Sequence, residues 1–375
     1  MRPEIATRTE AAVGRLLQLD LGDEFDRRAP EELVRSGLAP LCVPQDAGGL
    51  GASMTEAAEV LLALGAVDGA TALGFAMQAH VTGAMRDAAG VAEAIRERVF
   101  RAVVDDGVLV NNAATEEGGG SPARGAIPGT LAVASESGAW RLTGEKTWTT
   151  WLPALGMVFV TARLPADDGA VAEVGTFLVD LRTARAERGA GFEALGMRGS
   201  ASGRLRLVDT LGELMLRRRV DAPDPRGPVP AAWFGAMIAA TYLGVGEGAR
   251  AEVVRWAIDR RPGDGSTAVA DIPSVQLRLG RLDAELRAAR LVLLAATRRW
   301  DEARDPSDIG LAKHLATRAA VTATDEALRI AGGPGFLSGR LERAFRDARA
   351  GLINPPLEDL LLTGFGKALV DAARR

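Results

Sequence analysis

Residues 108–125, VLVNNAATEEGGGSPARG, mark the place where the chain changes texture. Before them, EAAEVLLALGAV (56–67) and VAEAIRERVFRAVV (91–104) repeat apolar residues every three to four positions, the spacing of a helix with one buried stripe. Between those runs, GATALGFAMQAHVTGAMRDAAG (69–90) is rich in small residues and reads as a buried helix. After residue 110 the runs become short and alternate: GTLAVASES, WRLTGEKTWTT, MVFVTARL, VGTFLVDL and GRLRLVDT, each broken by Gly, Pro or Asp. That pattern predicts several strands in a compact barrel or sandwich.

A proline-rich stretch, VDAPDPRGPVP (220–230), then reads as a linker, and helical periodicity returns. Val275, Leu279, Leu282, Leu286 and Leu293 trace one face behind Pro273, a residue suited to a helix start. Further helical patterns cover 231–258 and 307–330, and a last one follows Pro356. The expectation is an α+β multi-domain chain: a helical domain over 1–109, a small β-barrel or sandwich over 110–219, and a four-helix bundle over 220–375.

Composition narrows the function class. With 47% hydrophobic and 25% charged residues, the chain has the make-up of a soluble globular protein. Its net charge is −4 and no basic block stands out, which argues against nucleic acid as a partner. The single cysteine, Cys42, excludes an intramolecular disulfide and points to a reducing compartment. The N-terminal residues are too charged for a signal peptide, and no run approaches the roughly 18 apolar residues of a membrane span, so a cytoplasmic protein is expected. His80 and His314 are the only histidines, which disfavours a His-rich metal site.

Four loops could carry chemistry: LCVPQDAGGLGAS (41–53), NNAATEEGGGSPARG (111–125), LTGEKTWTTW (142–151) and LGMRGSASGRL (195–205). Their glycines let backbone amides approach a ligand, although such loops are more often plain turns. In order and spacing they resemble the acyl-CoA dehydrogenase superfamily over essentially the whole chain. The resemblance rests on VPQDAGGLG (43–51), ATEEGGGS (114–121), GEKTWTT (144–150), LGMRGSASGRL (195–205), and ALRIAGGPGF (327–336) with LERAFRDAR (341–349).

The resemblance implies FAD held between the β domain and the C-terminal bundle. Thr115 is then expected at the flavin pyrimidine edge, Trp148 over one ring face, and Thr150 at the N5/O4 edge, with Thr149 beside them. Ser121 matches a position that meets the pantetheine arm of a thioester. Gly332, Gly333 and Gly335 match a loop that meets the FAD of a neighbouring subunit, so a homotetramer or homodimer is implied. Arg260 aligns with an arginine that pairs with the FAD pyrophosphate, although the Phe-Gly that usually follows it is absent.

The family reaction abstracts a proton α to a thioester carbonyl, which needs a carboxylate of raised basicity in a dry site. In most members that glutamate lies nine residues after the arginine of the RDA motif; here the arginine is Arg346 and the ninth residue is Pro355. A second group carries its glutamate where this chain has Phe234, a residue expected instead to meet substrate. Both usual carboxylates are missing. Glu358 and Asp359, one turn beyond Pro355, are replacement candidates, but they equally suit the acidic first turn of a helix. Glu116 is a weaker one.

Three functions stay open. The first is FAD-dependent desaturation of a short or specialised acyl thioester, on CoA or an acyl-carrier protein, in secondary metabolism, with an electron-accepting flavoprotein as partner. The second is the flavin monooxygenase branch of the fold, which uses reduced flavin and oxygen; His80 and Asn354 are its candidate polar groups. A non-catalytic flavin- or acyl-binding scaffold is the third. Trp151, Trp233 and Phe234 are expected to narrow a pocket or to pack in the core, and His314 is expected to be solvated.

Overall fold

The computed structural model describes residues 1–118, 126–135, 139–165, 171–263 and 265–374. Five helices come first: α1 (Pro3–Leu17), α2 (Arg28–Arg35), α3 (Met54–Val67), α4 (Gly69–Asp87) and α5 (Glu93–Asp105). A capping box of Ser53 and Glu56 starts α3, and Asp68 ends it while capping α4 through the Thr71 amide. The expectation for 69–90 is met: α4 is buried from Gly69 to Met85.

The strands are β1 (Val110–Ala113), β2 (Leu131–Ala134), β3 (Trp140–Thr149), β4 (Met157–Arg163), β5 (Glu173–Asp180), β6 (Ala186–Gly191) and β7 (Gly203–Arg219). Antiparallel pairs β2–β3, β3–β7, β5–β7 and β4–β5 form most of a ring, and a parallel bridge from Leu131 to Arg163 closes β2 onto β4. β1 extends the ring as a parallel partner of β4, and β6 pairs with β7. The unit is a barrel whose interior is filled by Leu142, Val158, Val160, Phe177, Val179, Leu205 and Leu207.

Beyond the proline-rich linker lie α6 (Val229–Asp259), α7 (Pro273–Ala303), α8 (Ile309–Ala331), α9 (Arg340–Ile353) and α10 (Glu358–Arg374). The first four make the bundle; α10 is a fifth helix with no buried residue, lying on α8. α6 is its axis, packed on α7, α8 and α9 and also on α3 and α4. It is long and apolar enough to cross a membrane, yet 78% of its apolar window is buried inside the protein, as befits a core helix. One continuous core therefore runs from α3 and α4 through α6 into the bundle.

Candidate active site

Several of the residues singled out in distant segments are linked where the barrel packs on α4, and His80 of α4 carries the contact on to Phe234 of α6. Thr147 and Trp148 lie just before the end of β3, and the Thr147 amide donates to the Thr115 carbonyl at 2.9 Å, tying the exposed Thr115 to the strand end. Trp148 sits at φ +57°, outside the extended conformation of the strand, and the indole is 53% exposed. It leans on Phe192 with ring centroids 4.6 Å apart, and Arg204 stands over the other ring at 5.7 Å. A large aromatic face left open to solvent suits a flat ring system.

Thr150 is held from two sides. Asn111 Nδ2 donates to its carbonyl at 3.0 Å, and its hydroxyl shares a hydrogen bond of 2.9 Å with Ser202. Ser202 continues to the Ser200 hydroxyl at 3.0 Å, while the Trp151 amide donates to the Ser200 carbonyl at 2.8 Å. Asn111, Ser200 and Ser202 were missed in sequence; only the repeated Ser-x-Ser of the quoted loop hinted at them. Thr149 differs from its neighbours. Its side chain is fully buried and its hydroxyl has no partner, so the chain turns it away from the open lip on which Trp148 stands.

His80 faces the same lip from α4. It is 4% exposed, and Asn112 Nδ2 lies within hydrogen-bond distance of its Nε2, at 3.0 Å. Phe234 of α6 meets the imidazole edge-on, centroids 5.3 Å apart. Burial pushes the His80 pKa down to about 4, so the ring is neutral at pH 7.

Two glycines of α4 bracket His80. A Cβ at Gly74 would lie 1.9 Å from the Trp151 ring, and one at Gly83 would lie 2.6 Å from the Trp233 ring. The two indoles are therefore core pieces, 1% and 0% exposed, and Trp233 further donates to Asp87 at 2.9 Å. Of the three bulky residues expected to narrow a pocket, only Phe234 remains at the cleft.

The surroundings on α6 and at the end of α9 are less polar. Phe234 and Tyr242 lie eight residues apart on one stripe of α6. Asn354 Nδ2 donates to the Tyr242 hydroxyl at 2.6 Å, and burial raises the pKa of that phenol. Asn354 thus spends its amide on the protein rather than presenting it freely to substrate. Pro355 is exposed, and its bond to Pro356 is cis.

Neither acid beyond the prolines is poised as a base. Glu358 lies 3.3 Å from His314 Nδ1 and 3.8 Å from Arg318 Nε, and Asp359 points to solvent at the start of α10. The His314 contact is close enough for an ion pair but too oblique for a hydrogen bond. The expectation of a solvated His314 is corrected, since its side chain is only 18% exposed. Glu116 is engaged as well: it accepts from Lys146 at 2.5 Å and from the Thr130 hydroxyl at 2.6 Å. Burial alone would raise the Glu116 pKa, but Lys146 and Thr130 outweigh it and hold the carboxyl below its usual range.

Arg260 is exposed at the end of α6 and makes no ion pair among the described residues. Gly332, at φ +62°, ends α8, and the loop of Gly333 and Gly335 carries Phe336 and Leu337, 78% and 70% exposed. Such a loop offers apolar surface to another molecule. Ser121 lies outside the described residues. Among the described residues no group of three or more His, Cys, Asp or Glu could hold a metal ion.

A flavin fits this arrangement on the chain's own evidence: an unshielded indole, an ordered hydroxyl pair and buried amide side chains converge on one edge. The comparisons with known proteins agree. Models of the N-terminal, middle and C-terminal domains of acyl-CoA dehydrogenase match residues 7–107, 111–210 and 233–354. The Bacillus subtilis protein named "Putative acyl-CoA dehydrogenase YdbM" is 33% identical over 355 residues, 91% of this chain and 90% of its own. Butyryl-CoA dehydrogenase of Megasphaera elsdenii shares the fold with a TM-score of 0.85 at 19% identity, over 99% of both chains. The dibenzothiophene monooxygenase TdsC of Paenibacillus sp. A11-2, with FMN and indole, shares it at 0.87 and 19% identity, over 98% of this chain and 97% of its own. The chain belongs to the acyl-CoA dehydrogenase family and is a flavin-dependent oxidoreductase.

Proposed function

We propose that the protein holds FAD on the lip formed by Thr115, Trp148 and Thr150 and oxidises a short or specialised acyl thioester without the usual glutamate. The observation that carries this reading is the hydroxyl chain from Thr150 through Ser202 to Ser200, laid beside the open indole of Trp148. When bound, the flavin supplies two-electron oxidation. The chain's own residues bind and orient. Trp148 covers a ring face, the Thr150 hydroxyl donates at the ring edge, and Phe234 lends apolar surface beside His80. Glu116 pairs with Lys146, Glu358 lies beside Arg318, and Asp359 faces solvent, so none of the three candidate acids is poised to take the α-proton. A substrate of unusual acidity, or one oxidised away from the α,β bond, relaxes that need. An acyl-carrier protein or CoA as carrier, a secondary-metabolic setting, a cytoplasmic site, an electron-accepting flavoprotein and a homotetramer or homodimer built through the 332–337 loop belong to the same proposal.

One observation favours a second reading, oxygen-dependent monooxygenation. His80 offers a buried neutral imidazole beside Asn112 and Phe234, and a chemistry that begins from reduced flavin and oxygen needs no carboxylate to take an α-proton. Anaerobic mixing with a panel of short acyl-CoAs and acyl-carrier proteins separates the two. Bleaching of the flavin by an acyl substrate alone supports dehydrogenation. Bleaching only by an added reductase with nicotinamide, followed by an oxygen-dependent product, overturns it in favour of the second. A yellow protein that does neither is a scaffold.

A further inference from the structure

Asp347 belongs to neither wall of the cleft, yet it reaches the flavin-facing lip through a short chain of contacts. It lies on α9, is 4% exposed, and accepts a hydrogen bond from the Met197 amide through Oδ1. Met197 has φ +56° and Ala201 φ +44°, left-handed conformations that non-glycine residues hold only when their surroundings fix them. Between them run Arg198, Gly199 and Ser200, and the next residue is Ser202. This is the segment whose hydroxyls meet Thr150 and whose Ser200 carbonyl receives the Trp151 amide. Gly196 lets the two backbones close up, because a Cβ there would lie 2.4 Å from the Arg346 carbonyl.

A buried carboxyl is a costly way to hold one amide. Burial pushes the Asp347 pKa up to about 7, the charge of Asp68 adds to the rise, and Arg343 and Arg346 oppose it. Asp68 faces it from the α3–α4 junction and pairs with Arg343 at 3.4 Å, while Arg346 is drawn to Asp23 and Glu342. Beside Asp347 lies a cavity of about 30 Å³, room for one water. An apolar residue would fill this corner at less cost, so the acceptor itself has a use.

We propose that Asp347 is a positioning residue for the flavin site: by holding Met197 in its left-handed turn it sets Ser200 and Ser202 against Thr150, and so couples α9 to the ring edge. The inference rests on the flavin lip proposed above, though not on which reaction follows. It acts through hydrogen-bond acceptance, which an amide oxygen can replace.

The test is reconstitution of apoprotein with FAD, read by quenching of flavin fluorescence and by the visible spectrum at saturation. Asp347→Asn is expected within about threefold of the wild-type affinity, with an unchanged spectrum. Asp347→Ala is expected to bind roughly tenfold or more weakly and with shifted visible bands, because one buried amide and the loop it anchors are released. Ser202→Ala cuts the far end of the chain without touching Asp347 and is expected to weaken binding in the same sense, which keeps the test open if Asp347→Ala does not fold. Wild-type spectra and affinity in Asp347→Ala or in Ser202→Ala overturn the proposal. Equal losses in the Asn and Ala variants do so too. A wild-type protein that takes up no flavin instead sinks the reading of the lip itself.

Discussion

The two walls of the cleft follow different rules. On the barrel side, short polar side chains are fixed by one another: Asn111 holds Thr150, Thr150 meets Ser202, and Ser202 meets Ser200. On the helical side, around Phe234 of α6 and Pro355 beyond α9, the polar groups Asn354 and Tyr242 satisfy each other. On the proposed reading one wall grips a ring and the other offers no carboxylate to take a proton, so binding and proton transfer become separate tasks within one fold.

α4 stands between the walls, and the largest effect is expected from disturbing it. Gly74→Ala places a carbon 1.9 Å from the Trp151 ring and should cost at least about 3 kcal/mol in chemical denaturation, with loss of flavin uptake. Next is acid. His80 titrates near 4 in the folded chain against 6.5 when unfolded, so the unfolded state binds the extra proton in between. Its stability contribution is complete above 6.5 and is lost as pH falls through 4, up to about 3 kcal/mol. Denaturation at stepped pH checks this, and His80→Gln should remove that part of the slope.

The proton-transfer wall is probed by Pro355→Glu. A general base contributes about 10²–10⁴-fold, so turnover of short acyl-CoAs should rise about a hundredfold if the base alone is missing. Steady-state assay with an artificial acceptor measures it, and no gain means the helical wall has changed shape as well as chemistry. The smallest effect belongs to the gripping wall. Thr150→Val keeps the shape but cuts the link to Ser202, and should weaken FAD binding by about fivefold, or about 1 kcal/mol, in fluorescence titration.

Much of this was legible in the chain because local rules coincided with global ones. Helix α4 was readable from its run of small residues, although the reason for them, two indoles received at Gly74 and Gly83, needs the third dimension. Strands β3 to β5 and β7 were readable from short apolar runs; the closing of β2 onto β4 was not, since one bridge leaves no pattern. At the candidate site, Thr115, Trp148, Thr149 and Thr150 are named together by motif, and only the backbone tells them apart, turning the Thr149 hydroxyl inward and leaving the Trp148 ring open. Asp347 was hidden inside a motif valued for its arginine. Its partner, Met197, lies 150 residues away, and such pairings have no local signature.

The single bridge between Leu131 and Arg163 leaves the barrel with a seam, and Glu116 acts as its rivet. Its carboxylate gathers the Gly129 and Thr130 amides, the Thr130 hydroxyl and the Lys146 ammonium at that spot, while Arg163 fastens its own amide to the Thr130 carbonyl. An acid next to Thr115 invites a chemical assignment, but the contacts it makes are those of a brace. Were it neutralised, the cylinder would be expected to breathe open along that line first, with amide exchange quickening at 130 and 163 long before the helices noticed.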